Sequence, residues 1–173
     1  MNNIRTAIIG TGLIANSAHL AAIDRIGTGF EVVACYDMRL SAAQETAERF
    51  HIPNVYEDVD KMLEEVKPEL VIVATSNGSH KEMTLKALKA GAHVVCEKPV
   101  ALKYADAVEM FEEAEKCGLH FFPAQTERFR ENRMAARKLV QSGELGEVYF
   151  AEFESVRRRG IPQWGFFHMK EYN

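Results

Sequence analysis

The sequence predicts an α/β protein built on a doubly wound parallel sheet, and three observations carry that prediction. Short apolar runs of strand length alternate with stretches of helical periodicity: Ala7-Ile8-Ile9, Val32 to Tyr36, Leu70 to Ala74 and Ala92 to Cys96 are the runs. Glycines stand where the first run gives way to the first helix, in Gly10-Thr11-Gly12-Leu13-Ile14-Ala15. The second run ends in an acid, Asp37.

Each element has a local reason. Leu13, Ile14, Leu20, Ile23 and Ile26 fall at helical spacing and predict one apolar face after the glycine turn. Ser41 is the expected N-cap of a helix through about Phe50, which Pro53 brings to an end. Asn54-Val55-Tyr56 predicts a short strand, and Asp58 caps a helix that carries Met62, Leu63 and Val66 inward until Pro68. Leu70 to Ala74 is continuous and apolar, as a strand covered on both faces should be. A helix is expected from about Ser79 to Ala90, closed by Gly91. After the strand Ala92 to Cys96, Tyr104 to Lys116 predicts a helix with Ala107, Val108, Phe111 and Ala114 facing the core, ended by Gly118. Leu119 to Phe122 predicts a strand, Arg128 to Gln141 a helix, and Ser142 to Gly146 a turn. Residues 148–156 alternate and predict one more strand.

Composition narrows the class of function. The 173 residues suffice for one domain with a substantial core and the beginning of another. A formal charge of −4 argues against nucleic acid as the partner, and the mixed charges from Glu127 to Lys138 fit a solvated helix face. Arg157-Arg158-Arg159 is read in the same way. No apolar run has membrane-spanning length, and Met1 leads straight into the first strand, so a cytoplasmic location is expected. Cys35, Cys96 and Cys117 form an odd set without paired spacing and suit free thiols. His19, His51, His93 and His120 show no ligand spacing, and no metal site is expected.

Right-handed crossovers put every strand's C-terminal end on one edge, and open sheets of this kind bind ligands beyond that edge. Four ends there carry unusual polar groups: Gly10-Thr11-Gly12; Thr75-Ser76-Asn77 with His80; Glu97-Lys98-Pro99; and Gln125. A glycine turn entering a helix offers unpaired N–H groups and a positive dipole end, which suit a diphosphate. Gly10 permits the turn, Gly12 lets a phosphate approach, and Ala15 allows close packing of helix on strand. Asp37 stands where a carboxylate accepts from a ribose diol and repels a 2′-phosphate, which favours NAD; Arg39 partly offsets that charge and leaves NADP open. Each residue also has a local reading. Lys98 is then a solvated lysine paired with Glu97, Arg39 a helix-entry charge, and Asn77 a turn residue. Ser79 is then an N-cap, His80 sits on an exposed helical turn, and Gln125 is a loop amide.

Taken together, these motifs resemble the family of glucose–fructose oxidoreductase, inositol dehydrogenase and MocA, over Ile4 to about Phe153. The most specific pieces are Ala74 to His80 and Cys96-Glu97-Lys98-Pro99-Val100-Ala101. Arg128-Phe129 and Gly143-Glu144-Leu145-Gly146 match the region that leads into the family's second domain. The resemblance implies a Rossmann domain over residues 1–125. It also implies, over residues 126–173, a connecting helix and the start of a truncated substrate and oligomerisation domain, mostly antiparallel α+β, of which 148–156 is the first strand.

By the same resemblance, Gly10, Thr11, Gly12, Leu13, Ile14, Asp37, Arg39, Thr75, Asn77, His80, Glu97, Lys98 and Gln125 contact a nicotinamide cofactor. Lys98 lies between nicotinamide and substrate, bonds the reacting hydroxyl, and helps move its proton as hydride leaves the same carbon. The implied activity is NAD(P)-dependent oxidation of a polyol or sugar-like alcohol, or reduction of the ketone, by a homo-oligomeric parent protein. The family's catalytic histidine is not matched by His168, so this chain alone is expected to be inactive. A non-catalytic NAD(H)-binding or regulatory module is the alternative. A methyltransferase using S-adenosylmethionine ranks below both, because it leaves Glu97-Lys98-Pro99 without a purpose.

Overall fold

The computed structural model describes residues 3–156 and 158. Arg157, Arg159 and His168 lie outside the described residues. Those described divide into two compact units that meet in sequence between Ala124 and Gln125.

The first unit is a six-stranded sheet. Its strands are β1 (Ile4–Ile9), β2 (Phe30–Tyr36), β3 (Val55–Tyr56), β4 (Leu70–Val73), β5 (His93–Cys96) and β6 (Phe121–Pro123). They are ordered β3-β2-β1-β4-β5-β6, and each pairs with its neighbours in parallel. The chain winds outward from β1 to β3 and then returns past β1 to build β4, β5 and β6. Strand order therefore reverses between β1 and β4, at the crevice where sheets of this topology take ligands.

Side-chain alternation along the strands divides the core between the two faces. Ala7, Ile9, Val71, Val73, Val94 and Cys96 pack on one face with residues of three helices, α3 (Val59–Val66), α4 (His80–Lys89) and α5 (Tyr104–Cys117). Ile8, Cys35, Ile72 and Ala74 pack on the other with Ala15 and Leu20 of the first helical stretch and with Ala43 and Ala47 of α2 (Leu40–Phe50). Burial, and behind it the Asp37 charge, pushes the Cys35 thiol up to about 11; burial pushes Cys96 up to about 12. Both are thiols at neutral pH and serve as small apolar residues.

Several elements differ from the sequence reading. The first helix begins as a π-helical segment, Ala15–Leu20, and becomes α-helical only in α1 (Ala21–Ile26). Of its expected apolar face, Leu20 is buried, whereas Leu13, Ile14 and Ile26 are exposed. The N-cap of α2 is Arg39 rather than Ser41, because the Asp37 Oδ1 accepts the Arg39 N–H at 3.0 Å and opens the helix earlier. In α5 the core residue is Met110, fully buried, beside Ala114; Phe111 is 46% exposed and lies against Phe121 at 4.8 Å between ring centroids. Asp58 caps α3 as expected, accepting from the N–H groups of Asp60 and Lys61.

The second unit holds a 3₁₀ turn, Thr126–Phe129, and the helix α6 (Glu131–Gln141), followed by a turn in which Gly143 and Gly146 take positive φ. Residues 148–156 do not form the expected strand. Alternation gives a segment two faces, but a strand also needs a ladder partner for its N–H and C=O groups. Among the described residues none is paired with it. Tyr149, Phe150, Phe153 and Val156 are exposed, and the Arg133 guanidinium lies 5.6 Å from the Phe153 ring centroid. No described helix is long and apolar enough to cross a membrane.

Candidate site at the carboxyl rim of the sheet

The rim is assembled by backbone bonds that continue the ladder just past the strand ends. Gly10 N–H donates to Tyr36 O at 2.8 Å, Ala74 N–H to Ile9 O at 2.8 Å, Glu97 N–H to Val73 O at 2.9 Å and Ala124 N–H to Cys96 O at 2.7 Å. These bonds bring the glycine turn, Asp37, Thr75 and the Glu97-Lys98 pair to one edge, although they are far apart along the chain.

The two glycines of the turn stand in different surroundings. Gly10 has φ +92°, and a Cβ there would lie 2.7–2.8 Å from Ala74 O, Ala74 C and Thr75 N. Backbone rides on backbone at that point, so only glycine fits. Gly12 lies outside the left-handed region, and a Cβ there would meet nothing within 4 Å. Its openness is therefore not demanded by the protein's own packing.

Asp37 closes the turn from the second strand. Its Oδ2 accepts from Thr11 N–H at 2.8 Å and from Thr11 Oγ1 at 3.0 Å, and its Oδ1 accepts from Arg39 N–H at 3.0 Å. A carboxylate has about four acceptor sites. Three are occupied, so Oδ1 keeps room for one further donor. The Arg39 Nε is 3.9 Å from Oδ1, and its side chain is largely in solvent. Leu13 and Ile14, 56% and 39% exposed, add apolar surface beside the turn.

At the end of β4, Thr75 Oγ1 accepts from Ser79 Oγ at 2.8 Å, and Asn77 opens a 3₁₀ turn through Ser79. His80 follows as the first residue of α4. It is not on an exposed turn: it is 1% exposed, with Nδ1 2.8 Å from Pro99 O and Nε2 3.2 Å from Thr75 O.

Glu97 is 6% exposed and does not pair with the ammonium of Lys98. Its Oε1 is 2.9 Å from His19 Nε2, and its Oε2 accepts from the Lys98 backbone N–H at 3.2 Å. Burial pushes the Glu97 carboxyl up; the hydrogen bond from His19 and then that from Lys98 N–H outweigh it and hold the group below the usual glutamate value. Lys98 itself is exposed, and among the described residues its ammonium makes no ion pair. The Lys98–Pro99 peptide bond is cis. Gln125 opens the second unit, exposed, ahead of the 3₁₀ turn there.

His19 was not among the residues expected at the site. One sequence signal pointed to it: it lies four positions after the buried Ala15 and so shares that residue's inward side. A histidine on such a stripe needs a polar partner, and sequence alone does not name one 78 residues away.

Residues 4–125 match the model of an oxidoreductase family with an NAD-binding Rossmann fold. D-glucoside 3-dehydrogenase of Escherichia coli is 41% identical over 168 residues, which is 97% of this chain and 48% of that protein. Myo-inositol 2-dehydrogenase of Thermotoga maritima is 28% identical over 152 residues, 88% of this chain and 45% of that one. The WlbA dehydrogenase of Bordetella pertussis, solved with NADH and UDP-GlcNAcA, superposes with a TM-score of 0.80 at 26% identity, covering 86% of this chain and 45% of that one. The chain thus spans about half the length of the curated relatives it matches.

Proposed function

On the premise that the chain belongs to this oxidoreductase family with an NAD-binding Rossmann fold, we propose that it supplies the cofactor side of a dehydrogenase. In this reading the parent protein moves hydride between nicotinamide and the hydroxyl or keto carbon of a polyol or sugar-like substrate. The observation that carries the reading is the convergence of the Gly10-Thr11-Gly12 turn, Asp37 and Lys98 on one rim, beside the reversal of strand order.

The rim residues suit the cofactor. Gly12 leaves open the space that a side chain would take, which a diphosphate needs for close approach to the backbone. Asp37 keeps one acceptor site for a ribose hydroxyl, and its charge disfavours a 2′-phosphate. Leu13 and Ile14 offer apolar surface, and Thr75 and Asn77 stand at the β4 end of the crevice, while His80, 1% exposed, offers a cofactor no surface of its own. Bound there, nicotinamide supplies the hydride acceptor or donor.

Lys98 holds and moves the proton. Its ammonium has no carboxylate partner among the described residues, so it is free to bond an alcohol oxygen. Proton uptake by a lysine at neutral pH requires that the bound complex lower its pKa; exclusion of water and the positive charge of the oxidised ring both act in that direction. The group opposing Lys98 across the reacting carbon comes, in this reading, from sequence matching the relatives' other half, as do the substrate pocket and the oligomer interface. The closeness to D-glucoside 3-dehydrogenase and myo-inositol 2-dehydrogenase supports a polyhydroxylated substrate.

Calorimetric titration with NAD, NADH, NADP and NADPH tests the cofactor assignment, and turnover on a panel of polyols and sugar-like alcohols tests the chemistry. The expected result is micromolar binding of NADH, weaker binding of NADPH, and binding retained in Lys98→Met. Failure of all four coenzymes to bind overturns the assignment. Coenzyme binding that survives with no turnover by the full-length parent favours the regulatory module instead.

A further inference from the structure

We propose that His80, together with His19 acting through Glu97, fixes the backbone on both sides of Lys98 and so sets where its ammonium group stands. The inference rests on the reading of Lys98 as the proton-handling group.

Lys98 lies in the connection from β5 to α5, which has no regular secondary structure of its own. Its ammonium is not held by an ion pair among the described residues, so its location depends on how well the backbone beneath it is held. That backbone offers few handles. Pro99 has no N–H, and the Glu97 N–H is already committed to Val73 O at 2.9 Å. Two backbone groups that flank the Lys98 side chain, its own N–H and the Pro99 carbonyl, are bonded by the side chains of Glu97 and His80.

The Pro99 carbonyl is taken by a side chain from a helix, and the Lys98 N–H by the Glu97 side chain, which is itself bonded to a histidine of a helical stretch. The Lys98 N–H donates to Glu97 Oε2 at 3.2 Å, and His19 Nε2 donates to Glu97 Oε1 at 2.9 Å. The Pro99 carbonyl accepts from His80 Nδ1 at 2.8 Å. His80 and Glu97 are 1% and 6% exposed, so water cannot readily replace either bond once it is lost. His19 belongs to the helical stretch that follows the glycine turn, and His80 begins the helix that follows β4. The two elements that border the crevice on either side of the strand reversal therefore grip the same short connection. A lysine meant only to be solvated needs no such support.

The test reads Lys98 directly. The lysines of the full 173-residue chain are reductively methylated with ¹³C-formaldehyde, and the Lys98 resonance is assigned by its loss in Lys98→Arg. In the wild type it is expected to stand apart from the other lysines because the backbone beneath it is held. In His80→Ala and His19→Ala it is expected to move toward their positions, while the thermal midpoint shows that the fold is kept. His80→Asn, whose amide can donate to the Pro99 carbonyl, is expected to recover at least half of the displacement. If His80→Ala does not fold, His80→Asn against His80→Leu and the His19→Ala variant make the same comparison. An unchanged Lys98 resonance in the folded variants overturns the proposal. NADH binding by the unmodified wild type is measured beside it: loss of that binding sinks the dehydrogenase reading without touching the Lys98 comparison.

Discussion

The two glycines of the turn separate folding from binding, and alanine substitutions should pull the two apart. In Gly10→Ala the new methyl would sit 2.7–2.8 Å from Ala74 O, Ala74 C and Thr75 N, at a φ of +92°. A non-glycine residue in sparsely populated backbone space costs about 1–3 kcal/mol. Forcing a methyl against backbone that cannot move aside adds about 1–3 kcal/mol. The sum, about 2–6 kcal/mol, is a large share of the roughly 5–15 kcal/mol that holds a domain together. For a chain of this size it corresponds to a thermal midpoint lowered by about 5–20 °C. In Gly12→Ala the methyl meets nothing within 4 Å and φ is ordinary, so stability should hold or rise by about 0.4–1 kcal/mol through the unfolded chain. NADH affinity should nonetheless fall by about tenfold or more, equivalent to about 1.4 kcal/mol, because the methyl takes the space of a phosphate. Urea or thermal melts read the first effect and calorimetry the second. Gly12→Ala binding NADH with wild-type affinity would refute the phosphate cradle; Gly10→Ala melting like wild type would refute the backbone contact.

Three other outcomes are open to measurement. Asp37→Ser removes the acceptor offered to a ribose hydroxyl; a hydrogen bond to a charged group is worth about 1.5–3 kcal/mol, so NADH should bind at least about tenfold more weakly while the NADPH to NADH ratio rises, as calorimetry would show. Glu97 is held below its usual value, so its stabilising contribution is fully present above the unfolded pKa of about 4.3 and is lost as pH falls through the lower folded value; melts between pH 3 and 6 should show a steeper acid loss in wild type than in Glu97→Gln. Met110→Ala should cost about 2–5 kcal/mol by emptying a fully buried site, and Phe111→Ala distinctly less, in the same denaturant series.

Much of the architecture was legible because a parallel sheet covered on both faces writes its strands as short continuous apolar runs, and Leu70 to Val73 is such a run. The rim was legible as well, since parallel winding sends every strand's end to one edge and polar residues there stand out. Four things were not. Periodicity gave α5 the right length and put Phe111 inward, but Met110 fits the same i, i+3 and i+4 spacing and takes the fully buried place beside Ala114. Leu13 and Ile14 fit the apolar helical face by spacing, and spacing alone does not tell a buried residue from an exposed one. Residues 148–156 looked like a strand because alternation is visible in one segment and a ladder partner is not. The histidine contacts to Glu97 and Pro99 escaped for a related reason: they join residues 78 and 19 positions apart, and only the winding of the chain brings them together.

The order of the strands also bears on how the chain is made. β1 leaves the ribosome before the other five strands, yet it ends inside the sheet, bonded on one side to β2 and on the other to Leu70–Val73 of β4. Until that later segment emerges, Ile8 and Ile9 keep an open edge in water, and contacts between such distant partners form slowly. The nascent chain passes through a stage in which its central strand is half paired, with an open edge that is prone to pair wrongly.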